Sequence, residues 1–322
     1  MSFEYLKKAK EIYILCPGGI QTGGPELLHQ LAALLQSMGR KSYIVYYPLK
    51  QNWQIPEAYL RYECQQAYQV PDREDVAVIV PETLPSFFDS FKNAICVIWW
   101  LSVDNYRGNL DTLKYTKIWL KKSLIHGFKF RTQILHLFQS DYARDFVNKR
   151  FNANGQMLSD YLASEYLESV NTDQNNRQNM IVYNPLKGAK FTKKLQMAMP
   201  DVKWQALEKM TRLQVRETLE TAKVYIDFGT HPGKDRIPRE AAMCGCVIIV
   251  GLRGAACFNQ DVPIAEEYKY PVENGQIEVI AQKIRDIFAN YTFHYHHQEN
   301  YRNTIKAEPN LFKQQVEKIF FC

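Results

Sequence analysis

The chain has 322 residues, 46% hydrophobic and 23% charged, with a formal net charge of +6. That is globular composition, long enough for two domains with a core each, and no apolar run reaches the ~20 residues of a membrane-spanning helix. The opening Met1-Ser-Phe-Glu-Tyr-Leu-Lys-Lys8 has no apolar signal segment, and seven scattered cysteines read as small core residues rather than disulfides or a zinc knuckle. The expectation is a reduced, cytoplasmic protein.

Glu11–Cys16 reads as a first strand, followed by Pro17-Gly-Gly-Ile-Gln-Thr-Gly-Gly-Pro25. A helix over Glu26–Met38 comes next, with Leu27, Leu28, Leu31, Leu34 and Leu35 on one face, and then a strand over Lys41–Tyr47. This is a βαβ start whose glycine-rich turn lets backbone N–H groups approach a phosphate. It is neither Gly-x-Gly-x-x-Gly nor a P-loop, so a tight turn without ligand is the alternative. Asp75–Val80 and Ala94–Trp99 read as core strands. Glu82 and Asp104 lie just beyond their carboxyl ends and are candidate site carboxylates. Gln133–Gln139 is another strand, and Ser140 caps a helix over Tyr142–Lys149.

Between Arg107 and Arg150 stand ten Lys/Arg against three acids. The densest part, Lys114–Arg131, interleaves four aromatics with lysines. It reads either as a solvated helix face or as a surface for an anionic partner such as a membrane or a lipid diphosphate. No nucleic-acid-binding motif is present, and nucleic acid is not expected as a partner.

The polar run Asn171–Asn179 is the linker candidate. After it the α/β pattern restarts with strand Met180–Tyr183, the turn Asn184-Pro-Leu-Lys-Gly188 and helix Phe191–Met199. A strand near Val202–Gln205 and a helix over Arg212–Ala222 follow. Val224–Phe228 is then a buried strand running into Gly229-Thr-His-Pro-Gly233 and the charged turn Lys234-Asp235-Arg236. Pro238 opens a short helix over Arg239–Cys244, Gly245 stops it, and Cys246–Val250 is the next strand. Helices over Ala281–Ala289 and Asn310–Phe321 end the chain. The spacing predicts an α/β fold of two Rossmann-like domains facing across a cleft. Their bounds are 1–175 and 176–305, with a C-terminal helix, 306–322, packing back on the first domain. An anionic, phosphorylated ligand is expected over the loop before the short helix.

On these residues the chain resembles the GT-B glycosyltransferases, closest to retaining members with a Glu-x7-Glu signature. Glu240-Ala-Ala-Met-Cys-Gly-Cys-Val-Ile-Ile fits the second half of that signature, while Pro232 stands where its first Glu belongs. The resemblance implies that Glu240 binds the ribose of a nucleotide-sugar donor and that Lys187, Lys234 and Arg236 neutralise its diphosphate. Gly18 and Gly19 would approach the phosphates from the first domain, and the base would lie against Leu207–Thr211. With Pro232 unable to hold the donor sugar, that task passes to His231 or Asp235, and Asp104 is the candidate from the acceptor side. No Asp-x-Asp motif is seen, so neither a metal nor any cofactor beyond the donor is expected. The implied activity is transfer of a hexosyl unit to a saccharide or lipid-linked glycan in polysaccharide biosynthesis. It would be placed in the cytoplasm, peripheral on the membrane through Lys114–Arg131. A sugar-nucleotide epimerase, or a non-catalytic scaffold partnering another transferase, are the alternatives.

Overall fold

The computed structural model describes residues 2–49, 51–108, 133–168, 173 and 176–321. The basic stretch Lys114–Arg131 lies outside the described residues. The chain divides into two compact units, Met1–Asp160 with Asn310–Cys322, and Tyr161–Pro309.

The first unit is built on β1 (Glu11–Pro17), β2 (Lys41–Tyr47), β3 (Val76–Pro81), β4 (Ile95–Trp100), β5 (Leu135–Phe138) and the two-residue β6 (Gln156–Met157). They pair in parallel in the order β2-β1-β3-β4-β5-β6. β3 and β4 are buried along their whole length, as parallel strands covered on both faces must be, which is why they read as unbroken apolar runs. The helix Gly23–Ser37 lays Leu27, Leu28, Leu31 and Leu35 against β1 and β2. It begins three residues earlier than the sequence pattern implies, since first-turn N–H groups need no intrahelical partner and the two glycines are tolerated there. The C-terminal residues complete this unit. Phe312 stacks on Trp99 at 6.4 Å, and Arg40 donates to the Phe320 carbonyl at 2.6 Å.

The second unit carries β7 (Gln178–Tyr183), β8 (Lys203–Ala206), β9 (Ala222–Asp227), β10 (Val247–Gly251) and the two-residue β11 (Lys269–Tyr270). These too are parallel, in the order β11-β10-β9-β7-β8. Counted from its own first strand, the first sheet therefore runs 2-1-3-4-5-6 and the second 2-1-3-4-5. The winding reverses between β1 and β3 in one unit and between β7 and β9 in the other. Carboxyl ends at such a reversal form the ligand crevice of open α/β sheets.

The border falls at Asp160/Tyr161 rather than at 175/176. Leu162 and Tyr166 are buried in the second core, so the chain has joined that unit before the polar run begins. Likewise the last helix spans Glu299–Phe320 with Pro309 inside it, and its Asn310 onwards belongs to the first unit. Among the described residues no helix is long and apolar enough to cross a membrane.

One buried cation organises the amino-terminal edge of the second sheet. Arg177 donates to the carbonyls of Leu219 at 3.3 Å and Ala222 at 2.7 Å, and also to that of Cys244. These carbonyls close two helices, Arg212–Thr221 and Arg236–Met243, whose last oxygens have no intrahelical donor. Gly245 follows with a φ of +94°, and a Cβ there would drive into the Arg177 guanidinium. Gly245→Ala is expected to cost roughly 1–3 kcal/mol through backbone strain and displacement of Arg177. Urea unfolding checks this, the midpoint falling at constant slope.

Candidate active site

The site is assembled where β7 and β9 end. Beyond β7 the chain makes a tight turn, in which Asn184 Oδ1 accepts from the Leu186 N–H at 3.0 Å and the Asn184 carbonyl from the Lys187 N–H at 3.1 Å. Gly188 has a φ of +62°, and a Cβ on it would stand 2.6 Å from the backbone of Phe228. Only glycine lets this turn sit against the end of β9. The Lys187 side chain is thereby carried over the β9 exit and stays partly exposed.

At that exit Asp227 is buried and its Oδ1 accepts from the Gly229 N–H at 2.8 Å. His231 takes a left-handed backbone, φ +46°, which turns its imidazole inward until it is 2% exposed. One ring nitrogen, Nε2, lies 3.1 Å from the Asp227 carbonyl, and the other, Nδ1, 3.2 Å from Asp235 Oδ2. The same Asp235 oxygen is 2.7 Å from Lys187 Nζ. The angles make these charge contacts rather than aligned hydrogen bonds to that oxygen. Burial works against a charge on His231, but the close Asp235 carboxylate and the negative field of Asp227 outweigh it and raise its pKa. Burial likewise works against Asp235, and His231 with Lys187 outweighs it and lowers the carboxyl. Both ring nitrogens face oxygen atoms, an environment that favours the protonated ring. Asp227, His231 and Asp235 offer ligand atoms within 4.8 Å of one another, a spacing that could hold a metal ion. The Lys187 ammonium and the imidazolium already supply positive charge there.

Behind the loop lies a closed ring of buried charges. Glu308 accepts from Lys234 Nζ through one oxygen and from Arg239 Nη1 through the other, both at 2.7 Å. Arg239 also donates to the carbonyls of Lys234 at 3.0 Å and Asp235 at 3.3 Å, fixing the backbone that presents the Asp235 carboxylate. A small hollow is lined here by His231, Lys234, Asp235, Arg239, Asp261 and Tyr301, among others.

The structure thus brings Lys187, His231 and Asp235 together. Lys234, which the resemblance implies for neutralising a diphosphate, is turned inward with its ammonium on Glu308. Arg236 is half-buried and donates to the Tyr161 carbonyl at 3.2 Å. The short helix spans Arg236–Met243, with Asp235 at its cap, so Pro238 is its third residue and Glu240 stands one turn in rather than at its opening. Glu240 is half-buried, and its charge adds to burial in raising the pKa of the Tyr166 phenol. Leu207 continues from β8, donating its N–H to the Tyr183 carbonyl at 2.9 Å.

Gly18, Gly19, Asp104 and Glu82 belong to the first unit. Asp104 is half-buried in the first turn of the helix Val103–Gly108. Glu82 is buried, accepts from the Leu101 N–H at 2.9 Å, and has its pKa raised by desolvation to about 7. The Gly18 N–H donates to the Tyr47 carbonyl at 2.9 Å, and the indole of Trp53 lies across both glycines. Packing against Trp53 accounts for glycine at these positions. Asp227, Arg239, Glu308 and Trp53 escape sequence reading, because no local pattern marks them. Glu308 stands 74 residues from its partner Lys234.

No family model matches the sequence, and no curated protein does. Several solved structures do match along nearly their whole length. A sucrose-phosphate synthase from Thermosynechococcus elongatus aligns with a TM-score of 0.66 at 10% identity, over 96% of this chain and 98% of its own. HepE from Anabaena in complex with UDP-glucose gives 0.64 at 10% identity, over 96% and 99%. A glycosyltransferase from Rickettsia africae gives 0.63 at 12%, over 97% and 98%. The fold is that of these glycosyltransferases, with two Rossmann-like units in the GT-B manner.

Removing one member of a buried charge cluster strands the others, so Glu308→Gln should lower unfolding stability by roughly 3–5 kcal/mol. Urea denaturation measures it, and a loss under about 1 kcal/mol would mean that Lys234 and Arg239 find other partners. The raised His231 pKa adds stability that is fully present below its unfolded value of about 6.5 and lost as pH rises through the folded value. The stability gap between wild type and His231→Gln should therefore shrink as unfolding is repeated at increasing pH above neutrality.

Proposed function

We propose that the protein is a glycosyltransferase that takes a nucleotide-sugar donor at the carboxyl ends of β7 and β9. The observation that carries this is the partly exposed Lys187 ammonium beside the His231–Asp235 pair at the sheet's winding reversal. A fold shared with HepE bound to UDP-glucose supports it. When the glycosidic bond of a donor breaks, the leaving diphosphate gathers negative charge. A cation worth more in that transition state than in the ground state speeds the step. Lys187 supplies it and Arg236 adds to it. Asp235, relieved of Lys187 by the incoming phosphates, keeps its second cation, His231, so no buried carboxylate is left unpaired.

Glu240 accepts the two vicinal ribose hydroxyls, and the base lies against Leu207–Thr211. The acceptor is a saccharide or lipid-linked glycan. Transfer proceeds with retention, an oxygen of the departing diphosphate taking the proton of the incoming hydroxyl. Charge neutralisation by the chain's own cations makes the reaction metal-independent. Gly18 is given no phosphate contact, its N–H being already used within the first unit.

Calorimetric titration with UDP, ADP, GDP and dTDP in EDTA tests the donor site. One of them should bind, and Lys187→Ala and Glu240→Ala should each weaken it at least tenfold, about 1.4 kcal/mol. No binding up to about 1 mM, or binding indifferent to both substitutions, would overturn the assignment. Transfer of label from the matching nucleotide sugar to an acceptor then identifies the product. A magnesium requirement would end the metal-independent part.

A further inference from the structure

Trp53 sits in the segment after β2, which folds back over the glycine turn after β1. The indole is held from several sides. Its Nε1–H donates to the Pro48 carbonyl at 3.1 Å, its own N–H to Gln51 at 3.0 Å, and its carbonyl accepts from Gln66 Nε2 at 2.9 Å. One ring face rests on bare backbone. A Cβ on Gly19 would stand 2.9 Å from the ring, and one on Gly18 2.2 Å from it. Two glycines in succession are what allow so close an approach. The residue is nonetheless only half-buried, and exposed Ile20 and Leu49 adjoin the two segments it bridges.

What such an indole leaves to solvent is restricted. Its one polar hydrogen is already bonded, so it offers a π face and C–H edges. That face carries the negative lobe of the ring quadrupole, which repels a phosphate. The Gly18 N–H that could have drawn one is bonded to Tyr47. The surface suits a group that is apolar on one side and hydrated around its rim. A pyranose ring has that form, since its axial C–H bonds make one flat apolar face while its hydroxyls point outward into water.

We propose that Trp53, seated on Gly18 and Gly19, is a stacking platform for a pyranose ring. Resting on the glycosyl-transfer reading above, that ring belongs to the acceptor rather than the donor. Trp53 is thus a specificity-determining residue of the first unit, selecting sugars with an unbroken axial C–H face.

Saturation-transfer NMR on the full chain tests this with methyl β-D-glucopyranoside, methyl β-D-galactopyranoside and methyl α-D-mannopyranoside, each titrated separately, and with UDP alone. At least one pyranoside should receive saturation, strongest at its axial ring protons. Trp53→Ala should weaken it about three- to tenfold, as expected on losing an aromatic partner, and Trp53→Phe should retain part of it. Gly18→Ala displaces the indole without altering it and should reproduce the loss. If Trp53→Ala fails to fold, the Trp53→Phe and Gly18→Ala pair decides. No signal from any pyranoside, or signals unchanged in these variants, overturns the platform. UDP binding without pyranoside binding sinks the platform alone, whereas pyranoside binding by a protein that takes none of UDP, ADP, GDP and dTDP in the calorimetric titration leaves it standing and sinks the donor site.

Discussion

A carboxylate removed from water must be paired, and the second unit is arranged around that constraint at Asp235. Its oxygen lies between an ammonium from the β7 turn and an imidazole from the β9 loop. Each neighbour reaches it only because the backbone is unusual. Gly188 allows the turn to touch Phe228, Gly229 leaves room for the Lys187 stem, and His231 accepts a left-handed conformation to turn inward. Behind, Glu308 balances Lys234 and Arg239, and Arg239 holds the carbonyls of Lys234 and Asp235. The loop is irregular yet held at both faces by charge, as a site must be if its groups are to be in position before a ligand arrives.

The two units wind their sheets in the same order but furnish the equivalent place differently. At β7/β9 the carboxyl ends carry lysine, histidine and two aspartates. At β1/β3 they carry glycines beneath an indole, together with one buried carboxyl, Glu82, whose partners are the Leu101 N–H and Asn105. Charge at one suits a phosphorylated ligand, and an apolar ring face at the other suits a neutral one. The contrast follows from side chains alone, because the backbone scaffold is shared.

Much of the framework was legible because burial writes itself into local sequence. Val76–Pro81 and Ile95–Trp100 are apolar throughout since both faces of a parallel strand are covered, and Ser140 caps its helix with Oγ 3.1 Å from the Ala143 N–H. Boundaries were less secure. The short helix starts at Arg236 because Asp235, its cap residue, already has the extended backbone that precedes a first turn, whereas Pro238 marked only a permitted start.

The sequence by itself determined the alternation of strands and helices, two sheets' worth of core, and the glycine- and charge-rich loops at strand ends. Periodicity and turn chemistry act over a few residues, so a linear reading contains them. Only the tertiary structure decided which charges are spent on one another. Lys234 and Lys187 look alike in the chain, yet one is closed off by Glu308, 74 positions away, and the other pairs with Asp235 and stays partly exposed. It also decided that Leu162 and Tyr166 join the second core, and that Gly18 and Gly19 are small to admit Trp53. Pairings of this kind are made by segments that meet only when the sheets form, and electrostatic and steric fit across such distances leaves no periodic trace in the sequence.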